Sequence, residues 1–233
     1  MLLALWSPKG GSGTSVVAAA LALLAAGGGD TRLADFGGDQ PGILGLPSTA
    51  PGLHDGLVGW LAAGASAPTE WLDRLAVPVV PGLSLLPRGS GALDEAESEA
   101  GAALAVALRD GGTALLDAGA GTAPAARAAV DVADVALMVV RPCYLALRRA
   151  VGDPRLGRSR GTILVEEPGR ALDADDVAAV LGLPVVGRFP VRAEIARAVD
   201  AGVVRDRLPP SLAAPAAAVL AGLADDVDGR WAA

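Results

Sequence analysis

Trp6-Ser7-Pro8-Lys9-Gly10-Gly11-Ser12-Gly13-Thr14-Ser15 joins an apolar run at Leu2 to Ser7 to an apolar, Ala-rich segment at Gly13 to Ala26. A strand, a glycine-rich loop and a helix start in that order bring backbone N–H groups together on an anion at the helix N-terminus. Lys9 is the only lysine of the chain, and the other strongly basic residues are all arginine. A compact ammonium on a flexible stem meets phosphate oxygens as a point charge, whereas guanidinium is a bulkier planar fork. The lone ammonium beside Gly10 and Gly11 therefore points to a phosphate site. Gly10, Gly11, Ser12, Gly13, Thr14 and Ser15 would form the cradle, and the Ser15 hydroxyl stands where it can reach a phosphate-bound magnesium ion.

Outward from this loop, short aliphatic runs alternate with longer Ala-rich segments, the pattern of βα units around a mainly parallel sheet. The expected fold is α/β, one domain over residues 1–233, with a seven-stranded sheet and helices on both faces. Strands are expected near Leu2 to Ser7, Arg32 to Asp35, Leu83 to Pro87, Ala114 to Asp117, Val135 to Arg141, Thr162 to Val165 and Val185 to Phe189. Helices are expected over Gly13 to Ala26, Leu53 to Ala63, Thr69 to Leu75, Leu93 to Arg109, Ala123 to Val132, Asp173 to Leu181, Ala193 to Ala201 and Leu212 to Leu223. Asp173 to Asp176 place acidic groups in a first turn, and Gly202 supplies a glycine stop.

Composition narrows the function classes. With 52% hydrophobic but only 3% aromatic residues, the core is built from Ala, Leu and Val, which implies close helix-to-sheet packing. A net charge of -7 opposes attraction to bulk DNA or anionic lipid, so DNA is an unfavoured partner and membrane contact would be indirect. Arg155, Arg158 and Arg160 are the most basic stretch and read as a solvated loop. The acidic segment Leu223 to Trp231 is no basic membrane anchor. One cysteine, Cys143, forms no internal disulfide and fits a reducing cytoplasm. The opening residues lack a charged n-region, which argues against a secretory signal, and Val16 to Ala26 is too short to cross a bilayer. A single histidine, His54, and a single cysteine rule out zinc sites of the usual kind; Ser84 and Ser90 have no histidine partner apart from His54, and no spacing resembles a nucleophile elbow.

Lys9-Gly10-Gly11-Ser12-Gly13-Thr14-Ser15 resembles the deviant Walker A loop, K-G-G-x-G-K-[ST], of the MinD/ParA superfamily of P-loop ATPases. The resemblance runs over nearly the whole chain. It implies ATP or ADP with Mg2+ as cofactors and a homodimer in which Lys9 reaches across to the partner's nucleotide. Thr14 stands where the family has a second lysine, which holds the phosphates within its own subunit. Leu33-Ala34-Asp35-Phe36-Gly37-Gly38-Asp39-Gln40-Pro41 is similar to the family's second motif. Asp35 would there help to position the attacking water, while its companion aspartate is replaced by Leu33 or Gly37, depending on register. Thr113 to Gly121 resembles the Walker B strand and switch, with Asp117 as the magnesium carboxylate. The base-reading asparagine is missing, since Glu166 and Glu167 follow Val165 and the chain has no asparagine. Pro190 would line what remains of an adenine pocket.

The resemblance implies a nucleotide-dependent positioning or assembly factor with weak or absent hydrolysis, its catalytic residues being Lys9 and Asp35. The nearest branch includes Tad/Flp pilus-assembly localisation factors and septum-site proteins, so a protein partner in a pilus, secretion or cell-division machine is expected. Two alternatives stand beside this one: a scaffold that binds no nucleotide and acts through protein contacts, and a DNA-partitioning ATPase. A cytoplasmic location, with recruitment by partners, is expected in either main case.

Overall fold

A computed structural model describes residues 1–50 and 53–227. Residues 228–231 of the acidic C-terminal segment lie outside it. The described strands are β1 (Leu2–Trp6), β2 (Thr31–Asp35), β3 (Val77–Val80), β4 (Leu83–Leu86), β5 (Thr113–Asp117), β6 (Val135–Val140), β7 (Gly161–Glu166) and β8 (Val185–Pro190). They form one sheet in the order β3-β4-β2-β5-β1-β6-β7-β8, parallel except for β3. The expected count of seven is therefore short by one. Val77-Pro78-Val79-Val80 pairs antiparallel with β4 through a tight turn at Gly82, whose φ of 80° suits glycine. Pro78 has no N–H for a ladder and is tolerated because β3 is the edge strand.

The helices are α1 (Thr14–Ala25), α2 (Gln40–Ile43), α3 (Leu57–Ala62), α4 (Glu70–Leu75), α5 (Ser98–Asp110), α6 (Pro124–Val132), α7 (Tyr144–Val151), α8 (Ala174–Leu181), α9 (Ala193–Asp200) and α10 (Pro210–Val227). The helices α2 and α7 are additional to the expected set, and two of the expected helices differ for local reasons. The helix expected from Leu53 begins only at Leu57, because the preceding residues are tied to another loop. Ser90 N–H donates to the His54 carbonyl at 3.1 Å, and Leu57 and Val58 N–H donate to the Pro87 and Arg88 carbonyls at 2.9 Å. The helix expected over Leu93 to Arg109 divides into a 3-10 turn, Leu93–Glu95, and α5.

Strand residues alternate between two buried clusters. Leu2, Ala4, Trp6, Ala34 and Leu116 pack with α3 to α8, while Leu3, Leu5, Leu33, Leu115, Leu137 and Val139 pack with α1, α2, α9 and α10. Burial on both faces explains the unbroken apolar runs. Among the described residues, no helix is long and apolar enough to cross a membrane.

The basic stretch departs from expectation most clearly. Arg155 is 2% exposed rather than solvated: its guanidinium lies 4.2 Å from the centre of the Trp6 ring and pairs with Asp153 at 2.7 Å. It also donates to the Gly121 carbonyl at 2.7 Å, and Arg158 donates to the Asp131 carbonyl at 2.5 Å. Burial pushes the Asp153 carboxyl up, but the hydrogen bonds and charge of Arg155 outweigh it and hold the group below its ordinary value. These arginines knit loops to the core.

Candidate nucleotide site

The central strand β1 runs between β5 and β6, so the loop after it emerges at the C-terminal edge of the sheet, where open α/β sheets bind ligands. The loop turns through Gly11 and Gly13, at φ 76° and 91°, conformations that cost other residues dearly. Ser7 and Ser12 hydroxyls both donate to the Lys9 carbonyl at 2.9 Å, and Ser7 N–H donates to the Gly119 carbonyl at 2.8 Å. The loop is thus braced from beneath. A Cβ placed on Gly10 or Gly11 would meet nothing within 4 Å, so the upper side is open. Gly13 caps α1 without any side-chain hydrogen bond, which leaves the first-turn N–H groups of a 12-residue helix free of a side-chain cap.

Lys9 is half-buried, and its ammonium has no hydrogen-bond or ion-pair partner among the described residues. Thr14 is 5% exposed, and its Oγ1 is buried without a partner. The loop lines a cavity of about 640 Å³ together with Gly37, Asp39, Gly119, Ala120, Arg141 and Asp200. That volume lies within the range of small-molecule sites.

Two buried carboxylates lie behind Ser15 and Gly37 of the cavity wall. Asp35 and Asp117 are direct neighbours across β2 and β5, and both are fully buried. Asp35 accepts from Gly38 N–H at 2.6 Å and Gln40 N–H at 3.1 Å; Asp117 accepts from Gly119 N–H at 3.0 Å and from the Gln40 carboxamide at 2.8 Å. Burial, reinforced by the charge of Asp117, lifts Asp35 to about 7. Burial raises Asp117 as well, against hydrogen bonds from Ser15, Gln40 and Gly119 that favour its anion. A Cβ on Gly37 would lie 3.3 Å from Ser15 Oγ, 3.4 Å from Asp117 Oδ2 and 3.5 Å from Asp35 Oδ1.

Three oxygen donors therefore converge on one small space, and oxygen is what magnesium prefers. Among the described residues no three His, Cys, Asp or Glu side chains form a metal cluster, so an ion here would draw remaining ligands from a phosphate or water. The uncapped helix start, the partnerless ammonium and the orphaned Thr14 hydroxyl suit a polyphosphate. The residues present fit a magnesium-bound nucleotide.

Of the residues singled out by sequence, Gly10 to Ser15 share the cavity wall, and Asp35 and Asp117 meet beside Ser15. Pro190 ends β8 in register with Glu166 and is not among the residues that line this cavity. Glu166 pairs with Arg188 at 2.6 Å and Glu167 with Arg170 at 2.5 Å, so neither carboxylate stands bare. His54 is exposed and Cys143 half-buried. Leu33 packs in the core one strand pitch below Asp35, so the space beside Asp35 opens at Gly37 instead. Sequence reasoning gave no role to Gln40 and set Arg141 no closer than the end of a strand. Gln40 is the only carboxamide residue of the chain and is fully buried, a combination that composition alone flags.

No protein-family model matches the chain. Two uncharacterized proteins from two strains of Mycobacterium tuberculosis are each 30% identical over 238 residues, covering 95% of this chain and 63% of theirs. The chain thus spans 63% of the length of the curated relatives it matches. Among solved structures, the septum site-determining protein MinD of Pyrococcus horikoshii, complexed with Mg-ADP, superposes with a TM-score of 0.75 at 20% identity, over 99% of this chain and 98% of that one. A ParA family ATPase of Chlorobium tepidum gives 0.76 at 20% identity, over 95% and 97%. A chain of the MinC:MinD cell division protein complex of Aquifex aeolicus gives 0.75 at 22% identity, over 96% and 95%. Over nearly its whole length, then, the chain adopts the fold of the MinD and ParA ATPases.

Proposed function

We propose that this chain is a nucleotide-dependent positioning or assembly factor that binds ATP or ADP with Mg2+ and signals its state by homodimerising. The observation that carries this reading is the partnerless Lys9 ammonium on a loop braced from below and open above, beside the Ser15, Asp35 and Asp117 oxygens. An ammonium kept without a counter-ion is free to meet an anion that the subunit itself does not supply. Magnesium, when bound, would neutralise phosphate charge; Ser15 and Asp117 would hold it, Gln40 would fix the Asp117 carboxylate, and Asp35 would orient water. The solved MinD with Mg-ADP supports the choice of ligand.

Hydrolysis would be weak or absent. Thr14 cannot offset triphosphate charge, and no second carboxylate stands at Leu33 or Gly37. The output would then be association with a protein partner, in a pilus, secretion or cell-division machine. The MinC:MinD complex is a precedent for such partners in this fold. A scaffold that binds no nucleotide is the second reading, favoured by Gln40, which already occupies Asp117 and the Ser15 carbonyl at 2.8 and 2.9 Å. DNA partitioning is disfavoured by the charge of -7 and the burial of Arg155.

Calorimetry with ATP and ADP, with and without magnesium, tests the reading. Magnesium-dependent binding, ATP-induced dimerisation that Lys9→Ala abolishes, and phosphate release near background are the expected outcome. Absence of binding at millimolar nucleotide would leave only the scaffold.

A further inference from the structure

We propose that Arg141 supplies, from a neighbouring strand, the phosphate-facing cation that the loop lacks at Thr14; this rests on the reading of the cavity as a nucleotide site. Strands β1 and β6 pair in parallel with Trp6 opposite Met138, so the chain leaving β6 rises beside the loop that leaves β1. Arg141 is the first residue past β6 and lines the same cavity as Gly10 to Ser15. It is the one cationic side chain among the described residues that do so; Lys9 lies outside that lining.

The state of the guanidinium matches the role. Its Nε is buried with no hydrogen-bond partner, a condition that costs free energy until an acceptor arrives. Its ion pair, Nη1 to Glu167, spans 4.0 Å with both side chains about one-third exposed, so it is a loose tether. Glu167 itself is held chiefly by Arg170, at 2.5 Å. Thr14, 95% buried by its 5% exposure and also partnerless at Oγ1, opens on the same space. Two uncommitted donors, one in the first turn of α1 and one just past β6, thus belong to residues that line one cavity. The remaining charged groups of its wall, Asp39 and Asp200, are acidic and repel an anion. A polyphosphate held there needs a cation from this subunit, and Arg141 is the side chain in place. Its planar fork can pair two N–H groups with two phosphate oxygens in a fixed bidentate geometry, whereas a lysine acts as a point charge.

The test compares full-length wild type with Arg141→Ala, Arg141→Gln, Thr14→Lys and the double variant Arg141→Ala/Thr14→Lys, titrated with Mg-ATP, Mg-ADP and pyrophosphate. Arg141→Ala should weaken all three by about tenfold or more, the loss expected of one charged hydrogen bond. Thr14→Lys in the Arg141→Ala background should restore most of that loss, because either residue places one cation in the same cavity. Arg141→Gln keeps a donor without the charge and should bind like Arg141→Ala, which covers the case in which the alanine variant misfolds. Wild-type affinity in Arg141→Ala or Arg141→Gln, or a loss that Thr14→Lys leaves unrepaired, overturns the proposal while leaving the nucleotide site standing. Wild type that binds none of the three ligands overturns the nucleotide reading, and this inference with it.

Discussion

Asp35 gathers the chemistry of the site into one titration. Below its ordinary value near 3.8 the carboxyl is protonated in the folded and unfolded chain alike; between there and about 7 the folded chain keeps the proton and the unfolded chain releases it. Stability is therefore full in acid and is lost as pH rises through about 7, by up to ~4 kcal/mol over the whole span. Asp117, also raised by burial, adds to the same slope. Urea midpoints of the ligand-free protein should fall between pH 5 and pH 8, and Asp35→Asn should flatten that fall; a wild-type midpoint independent of pH in this range would contradict the burial of the pair. The residues legible in sequence were those whose role follows from spacing along the chain: Lys9 and Ser15 in the loop, Asp35 and Asp117 at strand ends. Gln40, Gly37 and Arg141 act through register between strands and through the path of a turn, neither of which a linear motif encodes.

At the scale of elements, small side chains decide how closely the layers approach. A Cβ on Gly101 of α5 would lie 2.1 Å from the Ala125 carbonyl oxygen of α6, so these helices meet backbone to backbone. The same holds where Gly45, after α2, faces Gly202, after α9: a Cβ there would sit 1.8 Å from the Gly202 carbonyl oxygen. Gly101→Ala must push α5 from α6 and should cost about 1–3 kcal/mol in chemical denaturation, while an exposed control such as Val106→Ala should be near neutral. The Ala-rich composition foretold such packing without saying where it occurs. Helix ends carried in local chemistry were readable: Asp173 and Asp176 complete a capping box on α8, and Gly202 takes φ 61° after α9. The antiparallel strand β3 and the division of the helix expected over Leu93 to Arg109 were not, since both depend on what the segment packs against rather than on its own period.

The whole molecule is one sheet with an apolar cluster on each face, and the two clusters share every central strand. Neither face can lose its packing without exposing the back of the other. Trp6 and Trp60 lie within one cluster and Trp71 packs against it, so in a Trp231→Phe background tryptophan emission reports on that face, whereas far-ultraviolet dichroism reports on all the helices. The two signals should unfold together at one denaturant midpoint; separated transitions would mean that the faces fold independently. Parallel strands alternating with helices made this architecture legible at the outset, because each βα unit declares itself locally. The site was less so, being assembled from β1, β2, β5 and β6 at once. The half-buried, partnerless Lys9 has a practical consequence of its own. It is the only ε-amine in the chain, so an acylating reagent or a lysine-specific protease meets a single internal target, and the extent of modification becomes a direct footprint of whatever covers the loop.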